Sequence, residues 1–323
     1  MADVIDRPAT TLPGVDEVDF ALHASDPAAF GRALVDSLHE TGFVVLTGHT
    51  IPQDAIADME ARSRDFFALP ADVKAGYAMP DWHYQRGYSP FGTENAKGRK
   101  ASDLKEFWHV GRGTIPGLPG TPDVPEAPGF DAASRTLFQA MDDFACTLMV
   151  AIGQTLEMSE ADMQAALVNG NSILRLLHYP PVDGDPDVIE GEVRVRAAAH
   201  EDINLLTLLL GAEEAGLEVM HRSGQWMAVN PPEGALVVNA GDMLARLTGG
   251  ELPSTTHRVV NPAPERASHS RYSMPYFLHP ANDFVLKALP SCVARGAKAE
   301  APITAQNYLK QRLEEIGLKK GKG

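Results

Sequence analysis

Ser254-Thr255-Thr256-His257-Arg258-Val259 and, fourteen positions after that histidine, Arg271-Tyr272-Ser273-Met274-Pro275-Tyr276-Phe277 are two short β-type runs separated by a polar, turn-rich stretch. They close a series of such runs that begins after Gly170: Ile173 to Tyr179, Val193 to His200, Leu205 to Leu210, Leu217 to Met220, Trp226 to Val229, Leu236 to Asn239, His257 to Val260 and Tyr272 to Leu278. Many short strands at close, regular intervals are the signature of a sandwich or rolled barrel. Upstream the texture differs. Asp26 to Gly42 has an Asp-Pro start, apolar residues at Phe30, Leu34 and Leu38 and a terminal glycine, which predicts a capped helix. Phe43 to Leu46 reads as a buried strand and Pro52 to Leu69 as a second helix. Residues 80 to 130 are rich in Gly and Pro and read as loops covering the core, apart from a strand-like Phe107 to Val110.

Asp131 to Leu156 carries apolar residues at helical spacing (Leu137, Met141, Phe144, Leu148, Ile152), and Ser159 to Asp162 forms a capping box for a further helix. The tail from Ala305 reads as a helix with Leu309, Leu313 and Ile316 on one face, then a basic, frayed Lys319 to Gly323. The expected organisation is therefore an N-terminal α/β segment with covering loops (1–130), supporting helices (131–170), a β core (171–285) and a C-terminal helical tail (286–323).

The chain has 28 Lys plus Arg against 43 Asp plus Glu, a net charge of −15, which repels phosphate backbones and anionic membranes and argues against nucleic acid as a partner. Its two cysteines, Cys146 and Cys292, form no C-x-x-C pair, which points to a reducing cytoplasm. Met1 to Asp6 lacks the basic and apolar regions of a signal peptide, and no apolar run approaches membrane-spanning length. Gly111-Arg112-Gly113 continues to Pro116 where a dinucleotide fingerprint wants glycine, and neither a G-x-S-x-G elbow nor an H-E-x-x-H helix occurs.

His200-Glu201-Asp202 stands where one β run ends. Strand alternation points His200 and Asp202 to one side and Glu201 to the other. With 11 His and 23 Asp in 323 residues, about 0.8 such triplets arise by chance, so the triplet alone is weak. His257, 55 residues beyond Asp202, changes this. Two imidazoles and one carboxylate on one face of a metal leave three positions open, which suits iron(II) and dioxygen. Arg271 and Ser273, two apart in a strand, offer a guanidinium fork and a hydroxyl to an anionic co-substrate.

With these residues the sequence resembles the isopenicillin N synthase-like family of iron(II)- and 2-oxoglutarate-dependent dioxygenases. The resemblance runs from Thr41-Gly42-Phe43 and Phe67-Ala68-Leu69-Pro70 through Tyr179-Pro180-Pro181, Gly216-Leu217-Glu218-Val219 and Val237-Val238-Asn239-Ala240-Gly241-Asp242 to the two runs quoted at the outset. It implies an α+β, mostly β fold: a double-stranded β-helix (jelly roll) core with the N-terminal α/β segment and supporting helices. It implies His200, Asp202 and His257 as iron ligands, Arg271 and Ser273 on the distal carboxylate of 2-oxoglutarate, and Tyr179 lining that pocket.

Two departures stand out. Leu177 occupies a position where many relatives carry Asn, and the spacing from His257 to Arg271 is longer than usual. That longer stretch contains a rival, Arg266-Ala267-Ser268. Arg271 is preferred, because Met274-Pro275-Tyr276-Phe277 follows it as in the family strand, whereas Arg266 lies in a loop-like setting. The expected activity is oxidation, by default hydroxylation, of a small-molecule substrate with Fe(II), 2-oxoglutarate and O2, with Phe107 and His109 as candidate substrate contacts. Alternatives are a 2-oxoglutarate-independent oxidase or cyclase of the isopenicillin N synthase type, and a non-catalytic metal-binding jelly roll. The histidines His23, His39, His49, His83, His178, His221, His269 and His279 read as surface or packing residues, and Asp242 as part of a tight turn.

Overall fold

Strand β1 (Glu17–Asp19) pairs in parallel with β2 (Phe43–Thr47), and helices α1 (Ala21–Ser25) and α2 (Pro27–Thr41) form the crossover between them. Asp26 caps α2 by accepting the amide of Ala29 at 2.9 Å, with Pro27 in the first turn. Gly42 ends the helix at φ 75°, and a Cβ there would lie 2.3 Å from Thr255 Oγ1, so both the left-handed turn and the close approach require glycine. This computed structural model describes residues 14–93, 104–113, 115–181, 188–189, 192–193, 197–210, 216–260 and 269–315.

Helices α3 (Gln53–Phe67) and α4 (Ala71–Ala75) precede β3 (Gly87–Ser89) and β4 (Glu106–Gly111); α5 (Phe130–Thr155) and α6 (Glu160–Leu167) follow. Ser159 caps α6 by accepting the Asp162 amide at 3.1 Å, as its capping box dictates. Next come β5 (Ile173–Tyr179), the small hairpin β6 (Val188–Ile189) and β7 (Glu192–Val193), β8 (Ala197–His200), β9 (Leu206–Leu210), β10 (Leu217–Met220), β11 (Trp226–Ala228) and β12 (Leu236–Ala240). Helix α7 (Asp242–Leu247) leads to β13 (His257–Val259), β14 (Arg271–Ser273) and β15 (Tyr276–Leu278). Hairpin strands β16 (Val285–Leu286) and β17 (Ile303–Thr304) flank α8 (Pro290–Ala294), and α9 (Ala305–Glu315) ends the described chain.

The major sheet has the order β1-β2-β12-β9-β15-β5-β4-β3, with β14 also paired to β5; the minor sheet has the order β11-β10-β13-β8. The fold is a jelly roll with flanking helices. Alternation splits the major sheet's residues between two faces. Val44, Leu46, Trp108, Leu174, Leu176, Leu208, Val238 and Tyr276 point outward into one core with α2, α3 and α5, where Leu137, Met141, Phe144, Leu148 and Ile152 are all buried. Fully burying each such side chain contributes about 1.5–3 kcal/mol. Phe43, Val45 and Val237 point inward and pack on Leu217, Val219 and Val229, which joins the two sheets.

Four local expectations need correction. The stretch from 80 to 130 holds, besides the expected strand at Phe107 to Val110, a second strand, β3, which pairs with β4 at the edge of the major sheet. The single run Tyr272 to Leu278 is two strands: Pro275 has no amide to give, so the ladder is interrupted there, and the Arg175 amide bonds the Pro275 carbonyl at 2.9 Å instead. The run Val193 to His200 begins on β7 and ends on β8, with 194–196 outside the described residues. Asp242 opens α7 rather than turning between strands. Lys319 to Gly323 lies outside the described residues, and no described helix is long and apolar enough to cross a membrane.

Candidate active site

His200 ends β8 and pairs in register with His257 on β13, which sets the two imidazoles abreast with ring centroids 4.4 Å apart. Asp202 follows β8 immediately, its carbonyl held by the Asp242 amide at 2.7 Å. The His200 and His257 Nε2 atoms each lie 3.8 Å from an Asp202 carboxylate oxygen, and one ligand atom from each residue falls within 4.8 Å of the others. Each Nδ1 faces the carbonyl two residues before it in the chain, Ala198 O at 2.7 Å for His200 and Thr255 O at 3.1 Å for His257. Nδ1 therefore carries the proton and Nε2 turns its lone pair to the site. Phe43 packs edge-on against His257 at 5.4 Å.

The His200 side chain keeps 41% of its surface exposed, and partial loss of hydration, then the neighbouring His257, lower its pKa. Burial alone would raise the Asp202 carboxyl, but His257, His200 and hydrogen bonds from Asn239 and Thr207 outweigh it and hold the carboxyl below its usual range. Thr207 Oγ1 donates to Asp202 Oδ2 at 2.5 Å and Asn239 Nδ2 at 2.9 Å. Two imidazoles, one carboxylate and no fourth His, Cys, Asp or Glu in the cluster among the described residues make a donor set that fits Fe(II) with open positions. Glu201 points away, accepting from Thr256 Oγ1 at 3.0 Å and lying 3.6 Å from Arg312 of α9.

The remaining residues singled out in the sequence lie on the same inner face of the major sheet. Arg271 stands opposite Tyr179 and Ser273 opposite Leu177 in the β14–β5 register. Arg271, Ser273 and Tyr179 are buried, and the Arg271 guanidinium carbon is 5.7 Å from the Tyr179 ring centre. Arg266 lies outside the described residues. Phe107 pairs with Leu177 and His109 with Arg175 between β4 and β5.

Residues that sequence reasoning passed over complete the site. Thr207 and Asn239 support Asp202. Arg175 donates its Nε to His109 Nε2 at 2.7 Å, and its guanidinium carbon lies 4.3 Å from the Phe107 ring centre. Its period-two spacing with Leu177 and Tyr179 is the signal that marked it for this face. His279 is half-buried, as a packing residue would be: loss of hydration lowers its pKa to about 4, and it lies within electrostatic reach of Asp202, Arg86 and Arg175. His178 does pack, on the outer face, where its Nδ1 is 2.8 Å from Glu106.

A family model described as the 2OG-Fe(II) oxygenase superfamily matches residues 170–280, and one described as the non-haem dioxygenase in morphine synthesis N-terminal matches 15–126. Among curated proteins, the 2-oxoglutarate-Fe(II) type oxidoreductase hxnY of Emericella nidulans is 31% identical over 94% of this chain and 89% of its own length. Proline hydroxylase buaE of Petromyces alliaceus is 31% identical over 93% and 97%. Among solved structures, a 2OG-Fe(II) oxygenase family protein from Caulobacter crescentus is 44% identical over 94% of this chain and 99% of its own, with a TM-score of 0.83. A Neurospora crassa protein crystallised with alpha-KG and thymine is 28% identical over 93% and 96%, with a TM-score of 0.81. The iron-competent triad at one place on the jelly roll agrees with these likenesses, and the chain belongs to the 2OG-Fe(II) oxygenase superfamily as an Fe(II)- and 2-oxoglutarate-dependent dioxygenase.

Proposed function

We propose that His200, Asp202 and His257 hold the iron, that Arg271 and Ser273 clasp the distal carboxylate of 2-oxoglutarate beside Tyr179, and that the enzyme hydroxylates a small molecule held near Phe107 and His109. The observation that carries this reading is the shared inner face. The triad stands on Thr207 and Asn239 of that face, and Arg271, Ser273 and Tyr179 line the same face on neighbouring strands. Bound iron activates dioxygen, with 2-oxoglutarate as reductant. The chain's own groups do the rest. The Nδ1 bonds fix both rings, and Thr207 and Asn239 keep Asp202 ionised and oriented. Arg271 offers a two-pronged donor set that a carboxylate matches. The apolar cluster of Phe107, Leu177 and Tyr179 excludes water from the face between them. Two free cysteines, Cys146 and Cys292, and the net charge of −15 support a cytoplasmic enzyme acting on metabolites rather than nucleic acid.

The test is succinate formation from 2-oxoglutarate by the anaerobically iron-loaded protein after admission of oxygen. His200→Ala is expected to abolish both iron retention and turnover. Arg271→Met is expected to raise the KM for 2-oxoglutarate about 10- to 100-fold, the loss of a charge-assisted pair, with iron content unchanged. An unchanged KM in Arg271→Met, with a raised one in Arg266→Met, would transfer the clasp to Arg266.

A further inference from the structure

We infer that Arg312 of α9 is a positioning residue for the iron site: it acts through Glu201 and Asp242 to hold the segments that carry Asp202 and His257 in place relative to each other. This inference rests on the reading of His200, Asp202 and His257 as the metal ligands, and it extends the site to the C-terminal helix.

Helices α7 and α9 meet through two side-chain pairs. Asp242 and Arg246 stand four apart on α7, and Tyr308 and Arg312 four apart on α9, so each pair shares one face of its helix. Arg312 meets Asp242 at one end, and at the other the Arg246 guanidinium carbon is 5.2 Å from the Tyr308 ring centre. The contact order is reversed between the two helices, as for elements running in opposite senses. Arg246 also binds Glu300 and donates to the Ala301 carbonyl at 2.6 Å, on the segment that leads into α9. At the Arg312 end, each guanidinium nitrogen faces a different carboxylate. Nε lies 2.9 Å from Asp242 Oδ2, Nη2 lies 3.6 Å from Glu201 Oε2, and Nη1 donates to Glu315 Oε2 at 2.7 Å. The first is a contact of charges rather than an aligned hydrogen bond, because neither atom finds a partner at hydrogen-bonding angles.

Two of those carboxylates belong to segments that carry metal ligands. Glu201 stands between His200 and Asp202 and accepts from Thr256 Oγ1 at 3.0 Å, next to His257. The Asp242 amide donates to the Asp202 carbonyl at 2.7 Å, and Ser254 Oγ approaches the same carbonyl at 3.4 Å. Asp242 is buried and feels the charges of Glu201 and Asp202, and among the described residues Arg312 is the one cation paired with either Asp242 or Glu201. Partly buried charges of one sign are screened little, so these carboxylates would repel each other without the bridge. The sign of the effect on metal binding is diagnostic. Arg312 is a cation close to a cation site, and by Coulomb's law alone its removal would tighten metal binding. A positioning role gives the opposite: with the bridge gone, Glu201 and Asp242 draw the ligand segments apart and the metal is held less well.

The metal-free protein is titrated anaerobically with Fe(II), each variant being accepted only with a cooperative thermal transition. Arg312→Gln is expected to raise the Fe(II) dissociation constant about fivefold, the scale of coupling carried through a side-chain network. Arg312→Lys keeps the charge but offers one nitrogen in place of three, and is expected to fall between Arg312→Gln and the parent. Arg246→Gln removes the contacts with Tyr308, Glu300 and Ala301 and so loosens the same helix at its other end. It is expected to lower the melting temperature while leaving the Fe(II) dissociation constant within about twofold of the parent. Fe(II) affinity in Arg312→Gln equal to or tighter than the parent's, Arg312→Lys no better than Arg312→Gln, or equal weakening in Arg246→Gln overturns the positioning role. Undiminished Fe(II) binding in His200→Ala overturns instead the underlying reading of the triad.

Discussion

Thr207→Val removes one hydroxyl from beneath the iron site without changing the shape of the side chain much, and its effects can be worked from three contacts. Thr207 Oγ1 donates to Asp202 Oδ2 at 2.5 Å and accepts from Asn204 Nδ2 at 2.8 Å, while Asn239 Nδ2 donates to the same carboxylate oxygen at 2.9 Å. A hydrogen bond to a charged group contributes about 1.5–3 kcal/mol, and 1.4 kcal/mol is tenfold in affinity. Part of the loss falls on the metal-free protein as well, so the Fe(II) dissociation constant is expected to rise about tenfold rather than a hundredfold. Fold stability should suffer separately, because Asn204 loses a buried acceptor, at about 1–3 kcal/mol. Asn239→Ala removes the other donor without stranding Asn204, so it should weaken metal binding with a smaller loss of stability. Anaerobic metal titration and thermal denaturation of both variants separate the two effects, and Thr207→Ser should restore both. Metal affinity within twofold of the parent in Thr207→Val would refute the role given to this hydroxyl.

Arg312 of α9 lies 2.9 Å from buried Asp242 and 3.6 Å from Glu201, so Arg312→Ala should cost about 1–3 kcal/mol in urea denaturation and weaken metal retention; an unchanged midpoint would detach the C-terminal helix from the site. Gly111→Ala should destabilise by about 1–3 kcal/mol through overpacking against Arg86, and by clearly less in an Arg86→Met background; additive effects would contradict the close approach. Glu106→Gln should cost about 3–5 kcal/mol, because buried Lys74, 2.8 Å away, loses its counter-charge. Burial would raise the Glu106 carboxyl, but hydrogen bonds from His178, Lys74 and Tyr88 bring it below 4.5, so its contribution is complete above that pH and fades as pH falls through the lowered value. The stability gap between parent and Glu106→Gln should therefore narrow only below pH 4.5; a gap that closes near neutrality would place the titration elsewhere.

The residues proposed as ligands were legible because they are tied to local pattern. His200 and Asp202 share a side by alternation, and His257 and Arg271 each begin a short run whose neighbours mark a strand. The capped helices α2 and α6 were legible for the same reason, since Asp26 and Ser159 act within three residues of themselves. What the sequence concealed depends on register between strands. Thr207, Asn239 and Arg175 sit in apolar runs where a lone polar residue looks incidental, and only the β9–β12 and β4–β5 pairings bring them to Asp202 and His109. The buried placement of Arg86 was equally hidden, because it depends on the side chain that Gly111 does not carry.

That dependence on register assigns a role to the polar network on the outer face. A one-residue slip of β5 would exchange Arg175, Leu177 and Tyr179 for Leu174, Leu176 and His178, and so take Tyr179 away from Arg271. Apolar packing alone discriminates poorly here, because leucine occurs on both faces of β5. Glu106 on β4 does discriminate: it binds Lys74 Nζ at 2.8 Å, His178 Nδ1 at 2.8 Å and the Tyr88 hydroxyl, tying α4, β5 and β3 to one residue. His178 passes the constraint on, with Nε2 3.1 Å from Ser270 Oγ and its ring stacked on Tyr272 at 5.0 Å. Tyr272 is the middle residue of β14, a strand of three residues that pairs, among the described residues, with β5 alone, and its neighbours on either side are Arg271 and Ser273. A buried network of this kind contributes little net stability when compared with apolar packing, but it penalises every wrong register by leaving Lys74 and Glu106 unpaired. The outer face thus fixes which residues of β5 and β14 reach the chemistry on the inner one.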